Sequence, residues 1–391
     1  MDTKQASRDR VDGTADALVA LSHALHADPE VGFEEHRSSA RVADVLATRG
    51  FDVTSGVAGL DTAFVATAGT GPLHVGICAE YDALPGIGHA CGHNVIAASA
   101  VGAGLALAEV ADDLGLTVTV LGTPAEEGGG GKIIMLEHGA FDGLHLAMMV
   151  HPAAYEMAAM GCLAVQHFDV HYAGRSAHAS AYPELGLNAA DALTVAQVGI
   201  GLLRQHIRPT DRIHGIVTDG GDAPNIVPER TAGQWYVRAA TLAELDDIYP
   251  RVQRCFEAGA LATGCEVHFD EPGPAYSEFE HDPDLVALYL QNATAVGREF
   301  VDLGVAGERM VGSTDMANVS LAMPAIHPML AIESDGAVNH QPEFTAACAT
   351  PSADRALLDG AVAMAWTAID AAEDGPLRER LLARTYDHTT A

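Results

Sequence analysis

Two apolar runs, Leu73-His-Val-Gly-Ile77 and Leu116-Thr-Val-Thr-Val-Leu121, each lead into a group of side chains that can bind metal. The first run leads to the pentad His89-Ala-Cys91-Gly-His93, and the second leads to the pair Glu126-Glu127. Open α/β sheets bind their ligands in the loops at the carboxyl ends of strands. A thiolate, imidazoles and carboxylates that converge there form a mixed ligand set suited to zinc or a neighbouring transition metal. The pattern therefore predicts a metal-dependent hydrolase, in which a carboxylate takes a proton from metal-bound water.

The composition limits the classes of function. The chain has 391 residues, which predicts two or three domains, and it carries 53 acidic against 21 basic residues for a net charge of −32. A field of this sign repels nucleic acid and anionic membranes, so we predict neither as a partner. The six cysteines show no disulfide spacing, and we see neither a basic and apolar leader nor a membrane-spanning apolar run. These features predict a reduced, cytoplasmic protein.

The order of strand-like and helix-like segments predicts an α/β protein with an insertion. Up to about residue 163 the two kinds of segment alternate, which is typical of a mostly parallel sheet flanked by helices. After that, polar and apolar residues alternate over 167–172, as in a strand with one polar face, and the order β-α-β-β-α-β follows. We predict a catalytic domain over 1–163 and 276–391, interrupted by an inserted, ferredoxin-like α+β domain over 164–275.

Two further histidines are candidate ligands. His151 follows the apolar run Leu146-Ala-Met-Met-Val150, at the carboxyl end of a predicted strand, although a hydrogen-bonded structural histidine would fit there equally well. His340 has no distinguishing spacing, and the local pattern does not select it over the other histidines. Adjacent carboxylates at a metal would divide their work, with one bound to the ion and the other acting as base.

A nucleophilic enzyme is the alternative interpretation of the same residues. The sequence has no Gly-x-Ser-x-Gly elbow. Cys91 could instead act as a thiolate nucleophile activated by His89 or His93. This interpretation leaves the glutamate pair without a role, so we favour the metal-dependent hydrolase.

Two longer strings resemble the signatures of a known family. They are Ala79-Glu-Tyr-Asp-Ala-Leu-Pro-Gly-Ile-Gly-His-Ala-Cys-Gly-His-Asn94 and Gly122-Thr-Pro-Ala-Glu-Glu-Gly-Gly-Gly-Gly-Lys132. Both resemble the amidohydrolase branch of the two-metal aminoacylase/carboxypeptidase superfamily, which includes hippurate hydrolases, auxin–amino acid conjugate hydrolases, aminobenzoyl-glutamate hydrolase and β-alanyl dipeptidases. Other strings, from residues 26–35 to residues 339–344, extend the resemblance over nearly the whole chain. It implies that the inserted domain is a lid and dimerisation domain.

The resemblance implies a role for each of ten residues. Glu126 matches the general base, and Asp82 matches a carboxylate that orients the metal ligands. His178 matches a lid histidine that polarises the scissile carbonyl from the partner subunit of a homodimer. Asn225 and Arg238 match positions that bind the free carboxylate of the substrate. The implied metal ligands, with Cys91 as a bridge, are Cys91, His93, Glu127, His151 and His340.

The resemblance also implies the reaction. It implies hydrolysis of the amide bond in N-acyl or aminoacyl amino acids or dipeptides with a free carboxylate. The implied cofactors are two divalent ions per subunit, with zinc favoured over manganese, cobalt or nickel. Asn94 and Glu80 stand where many members carry aspartate, which points to the dipeptidase-like subgroup. The remaining alternative is a catalytically silent, metal-binding partner subunit, although no ligand and no base is missing.

Overall fold

The computed structural model describes residues 2–301 and 311–389. The chain forms two units, each with its own sheet and apolar core. The first unit comprises Met1–Gly161 and Phe279–Ala391, and the second comprises Cys162–Glu278. The sequence-based prediction placed these boundaries between residues 163 and 164 and between residues 275 and 276.

A six-stranded sheet forms the centre of the first unit. Its strands are β1 (Asp52–Ser55), β2 (Phe64–Gly69), β3 (Leu73–Glu80), β4 (Leu116–Thr123), β5 (Leu146–Met148) and β13 (Ala325–Ile326). Their order in the sheet is β1-β2-β4-β3-β5-β13. β4, β3, β5 and β13 are parallel neighbours, whereas β2 is antiparallel to both β1 and β4. The predicted, mostly parallel sheet is confirmed, because only β2 runs against the others.

Helices flank this sheet. They are α1 (Thr3–Ala27), α2 (His36–Ala47), α3 (His93–Leu114), α4 (Gly131–Glu137), α7 (Pro283–Ala295), α8 (Met316–Ala322), α9 (Pro342–Ala347), α10 (Pro351–Glu373) and α11 (Gly375–Leu382). The prediction of one helical region over residues 11–50 was wrong, because the helix ends at Ala27 and a turn containing Pro29 precedes α2. Proline restricts the residue before it to extended conformations, which ends a helix.

Helix α3 is the central helix of the first unit. It packs against β3 and β4 on one side and against α1 and α10 on the other. Within the described residues it is the one helix long and apolar enough to cross a membrane by length and composition, and most of it is buried inside the unit. Its apolar composition, which the sequence inspection did not single out, therefore matches a core helix covered on two sides.

Short strands complete the edges of the site described below. They are β6 (His151–Ala153), β7 (Gly161–Cys162), β12 (Val311–Gly312) and β14 (Met329–Ala331). β6 and β14 pair in parallel and align His151 with Met329.

The second unit is a four-stranded antiparallel sheet with two helices on one face. Its elements are β8 (Ala164–Ala173), α5 (Ala189–Leu203), β9 (Arg212–Asp219), β10 (Arg230–Ala239), α6 (Leu242–Thr263) and β11 (Glu266–Asp270). The strand order β11-β8-β10-β9 and the chain order confirm the predicted βαββαβ layout. Phe168 and Val170 are buried beneath the helices, while the intervening Asp169 is only half-buried, as the alternation of the sequence predicts.

Candidate metal centre and active site

The carboxyl ends of three neighbouring parallel strands carry the candidate ligands. β3 leads through a loop to Cys91 and to His93 at the start of α3. β4 ends at Thr123, three residues before the Glu126-Glu127 pair. β5 ends at Met148, three residues before His151. Because these strands are parallel and adjacent, their ends meet at one edge of the sheet, where α/β proteins bind ligands.

Five predicted ligands form two groups that share one thiol. The potential ligand atoms of Cys91, His93 and His151 all lie within 4.8 Å of one another, and those of Cys91, Glu127 and His340 do the same. Cys91 is common to both groups, so its sulfur lies where it could bridge two ions. His340, which the local sequence pattern did not select, is 3.6 Å through Nε2 from a Glu127 oxygen. His340 has a φ of 69°, unusual for a residue other than glycine, and such backbone outliers cluster at functional sites.

The histidines present nitrogen atoms suited to a cation. The Nδ1 atom of His93 lies 2.9 Å from Asp82 Oδ1, and its buried Nε2 atom has no hydrogen-bond partner. The Nδ1 atom of His151 lies 2.8 Å from the carbonyl oxygen of Pro152. A hydrogen bond at Nδ1 leaves the Nε2 lone pair for a metal, which is the usual arrangement of ligating histidines. The sulfur, nitrogen and carboxylate donors fit zinc and neighbouring divalent ions.

Asp82 joins the two halves of the centre. Besides contacting His93, its second oxygen accepts a hydrogen bond of 3.0 Å from the backbone N–H of Glu127. Burial alone would raise the pKa of Asp82, but the contacts with His93 and the Glu127 N–H lower it to about 2. Asp82 is therefore a buried anion that orients one ligand from each strand end.

The charges of the centre favour a bound cation and oppose a free thiolate. Burial and the nearby Glu127 and Glu126 carboxylates raise the pKa of the Cys91 thiol well above its ordinary value. Burial disfavours the charged form of His93, but Asp82 and its acidic neighbours outweigh it and raise the pKa of His93 well above its ordinary value. A reactive cysteine needs a lowered thiol pKa. The environment of Cys91 therefore argues against the thiolate-nucleophile alternative.

Glu126 is placed as a base beside the ligand groups. It is 7% exposed, and its Oε2 atom lies 3.8 Å from His93 Nε2. Burial, together with Glu80 and Glu127, raises the pKa of Glu126 well above its ordinary value. A carboxylate with a raised pKa is a better proton acceptor at neutral pH.

A buried ion-pair triad, which the sequence inspection did not predict, supports this region from behind. Lys132 Nζ lies 2.5 Å from Glu80 and 2.6 Å from Asp315, and all three side chains are inaccessible to solvent. Burial opposes the ammonium charge, but the Asp315 and Glu80 carboxylates outweigh it and raise the pKa of Lys132 well above its ordinary value. The available signal was composition, because Lys132 and Lys4 are the only lysines of the chain.

A cavity of about 280 Å³ opens onto the centre, and it reveals another residue that the sequence inspection missed. His327 lines this cavity, is 2% exposed and has no hydrogen-bond partner at either ring nitrogen. Its ring centroid lies 5.4 Å from that of His151. The signal was its position directly after β13, at the end of another strand of the same sheet. The remaining cavity lining is Cys91, Glu126, Glu127, Tyr155, Met160, Val311, Gly312, Ser313, Thr314, Met329, Asn339 and His340.

The other predicted site residues belong to the second unit. His178 and Asn225 lie on adjacent segments, since the N–H of Ala179 donates to the Asn225 carbonyl oxygen over 3.0 Å, and both side chains are exposed. Arg238 is on β10, where its Nε donates to His214 Nε2 over 3.4 Å. Burial lowers the pKa of Arg238, although a guanidinium stays charged at neutral pH.

Comparisons with known proteins agree with this geometry. The sequence profile of peptidase family M20/M25/M40 matches residues 76–362. The chain is 39% identical to the Xaa-Arg dipeptidase of Mus musculus over 94% of its own length and 88% of that protein. It is 33% identical to one of the two kinds of p-aminobenzoyl-glutamate hydrolase chain in Escherichia coli (strain K12), over 70% of its length and 60% of that protein. A dinuclear metal binding peptidase of Bacillus subtilis has the same fold, with a TM-score of 0.67 at 19% identity, over 92% of this chain and 99% of that one.

Proposed function

The chain belongs to peptidase family M20/M25/M40, and from this premise we propose its substrate class, its residue roles and its assembly. It is a metal-dependent hydrolase of amide bonds in acyl amino acids or dipeptides. We propose that the preferred substrate is a dipeptide, or an aminoacyl amine of the same shape, whose carboxyl-terminal residue is basic. The observation that carries the catalytic proposal is the pair of ligand groups that share Cys91 beside the buried Glu126.

The substrate proposal rests on similarity and charge. The Xaa-Arg dipeptidase of Mus musculus is similar over 94% of this chain, and its name specifies a basic carboxyl-terminal residue. The net charge of −32 attracts cationic substrates and repels those with excess negative charge. A dipeptide ending in arginine, lysine or ornithine is therefore favoured over an acyl-aspartate or acyl-glutamate.

In the proposed mechanism, Cys91, His93, Glu127, His151 and His340 hold two divalent ions. Such ions, when bound, make water more acidic and polarise the amide carbonyl. The Glu126 carboxylate takes a proton from the attacking water and then delivers it to the nitrogen of the leaving amine. Asp82 keeps the His93 ring and the Glu127 backbone in place during both transfers.

Residues of the second unit complete the proposed site. We assign His178 to the scissile carbonyl, which its imidazole can polarise by donating a hydrogen bond. Asn225 and Arg238 would bind the free carboxylate of the substrate, for which a guanidinium fork is well suited. These assignments rest on the sequence motifs alone.

We propose a homodimer formed through the second unit. β9 is an edge strand, and Ile216 and Val217 on it are 61% and 46% exposed. On α5, Val198 and Leu202 are 59% and 71% exposed. Exposed apolar residues next to an unpaired strand edge are typical of a surface that pairs with a second copy. Sedimentation of the wild-type protein and of Leu202→Glu tests this, because a monomeric wild type would contradict it.

The native ions and location remain proposals. Zinc and manganese both suit the donor set, and supply in the cell decides between such ions. All six cysteines are free in the structure, which supports a reducing cytoplasm. Metal analysis of protein purified without added metal identifies the resident ion.

One assay tests the reaction class and the substrate together. Chelator-treated protein would be assayed with each metal restored, on a panel of dipeptides with basic, neutral and acidic carboxyl-terminal residues, N-acetyl amino acids, hippurate and aminobenzoyl-glutamate. Activity that vanishes and returns with metal, and is highest on basic dipeptides, supports the proposal. Activity that survives metal removal favours the Cys91 nucleophile, and inactivity on the whole panel favours a silent partner subunit.

A further inference from the structure

Residues 30–35 form a turn between α1 and α2 that the proposed mechanism does not use. The sequence analysis singled out this region, residues 26–35, for its resemblance alone. In the structure it packs against the loop after β4 that carries the base, within the first unit. We call residues 30–35 the bracing turn.

A buried carboxyl of the bracing turn bonds to the backbone next to the base. Glu35 Oε1 accepts a hydrogen bond of 2.8 Å from the N–H of Ala125, the residue immediately before Glu126. Glu35 is fully buried, so this bond does not compete with bulk water. The two residues are 90 positions apart in sequence.

The backbone that receives this bond is strained. Ala125 has a φ of 56°, which residues other than glycine seldom adopt. Its carbonyl accepts hydrogen bonds from the N–H groups of Gly129 and Gly130, so the loop closes on itself around this residue. A conformation of this kind persists only where its surroundings hold it.

Two further contacts hold the same loop from the bracing turn. Gly32 approaches Ala125 so closely that a Cβ at position 32 would lie 2.9 Å from the Ala125 Cβ. The ring of Phe33, itself at a φ of 64°, packs directly on Gly129. The bracing turn therefore contacts the loop at its strained residue and at its glycine run.

From these contacts we propose that Glu35 is a positioning residue for catalysis, which holds the strained Ala125 turn and thereby aims the Glu126 carboxylate at the ligand groups. The inference rests on the proposed function, because it takes Glu126 as the base. Glu35 acts through the backbone and touches neither the substrate nor the ligands. A displacement of the base of about 1 Å costs up to about a hundredfold in rate.

The test compares Glu35→Leu with Glu35→Gln, which keeps an oxygen acceptor for the Ala125 N–H. The measurements are kcat, KM and bound metal per subunit, on whichever panel substrate the wild type hydrolyses best. We expect Glu35→Leu to lower kcat about tenfold to a hundredfold, with KM and metal content retained. Glu35→Gln should recover most of that loss, and Glu34→Leu, at the exposed neighbouring glutamate, is the matched control.

Gly32→Ala provides a second test if Glu35→Leu does not fold. The added methyl group pushes against Ala125 without removing a buried polar group, and we expect kcat to fall with metal retained. The proposal is overturned if Glu35→Leu keeps the wild-type kcat, if Glu35→Gln loses as much as Glu35→Leu, or if Gly32→Ala leaves kcat unchanged. Failure of the proposed function has a different signature, since the wild type would then be inactive or Glu126→Gln would stay active.

Discussion

The metal centre of the first unit and the proposed substrate-binding residues of the second unit are held in different ways. His93 and Asp82 are at most 1% exposed and are joined by a hydrogen bond of 2.9 Å. His178 and Asn225 are exposed, and what holds their surroundings is mainly local backbone pairing. The first region is organised before any ligand arrives, which is what electrostatic catalysis requires. The second depends on substrate or a second copy for its final arrangement.

Removal of the base should produce the largest effect and define the first region. Glu126→Gln keeps the size of the side chain but cannot accept the proton of water. We expect kcat to fall by about 10³-fold or more, with bound metal and KM nearly unchanged. Steady-state kinetics with metal analysis checks this, and substantial remaining activity would place the base elsewhere.

Breaking the buried triad should test how far the centre depends on its support. Lys132→Met leaves the Glu80 and Asp315 carboxylates buried without their cation. Removing one partner of a buried ion pair costs about 3–5 kcal/mol of unfolding free energy. Denaturant titration measures this, and Lys4→Met is the matched control, because Lys4 pairs with Asp370 in a partly exposed position. We expect the control to lose about 1 kcal/mol or less.

The comparison predicts a different kinetic signature for the second region. Arg238→Gln removes the guanidinium fork proposed to bind the substrate carboxylate. We expect KM to rise about tenfold to a hundredfold, because charge-assisted bonds contribute about 1.5–3 kcal/mol, with bound metal retained. Arg230→Gln, at an exposed arginine of the same strand, is the control. A kcat loss with unchanged KM would remove Arg238 from ground-state binding.

The smallest expected effect is a pH dependence of stability in the bracing turn. Burial and the nearby Asp82 raise the pKa of Glu35 to about 7, from an ordinary value of 4.5. The folded state therefore holds a proton that the unfolded state has lost, so stability decreases as pH rises from about 4.5 through 7. Thermal unfolding of Glu35→Gln should show a flatter profile over this interval than the wild type. Identical profiles would show that Glu35 does not titrate there.

Sequence reasoning was most successful where the signal was local. The alternation over 167–172 correctly identified a strand with one polar face, and the runs before Cys91 and Glu126 correctly identified two parallel neighbours. It failed at Ala27, where a proline turn interrupts a helical pattern. The residue roles taken from the resemblance stay predictions, although the structure brings all five proposed ligands together.

Other residues gave too weak a local signal. His327 has no neighbouring motif, and its two unpartnered ring nitrogens become visible only once β13 is placed beside β5. Lys132 resembled part of a failed phosphate loop until Asp315, 183 positions away, was placed within 2.6 Å of it. A buried charge pair of this kind is a property of two distant segments, so no window of sequence contains it.

The sequence by itself determined the fold class and the kind of chemistry. Apolar periodicity selects strands and helices, and the donor types at the strand ends select the metals they can bind. Only the tertiary structure decided that one thiol serves two ligand groups, and that Glu35 holds the turn before the base. The physical reason is that burial and distance are set by packing between segments remote in the chain, and those two quantities control charge, strain and hydrogen bonding.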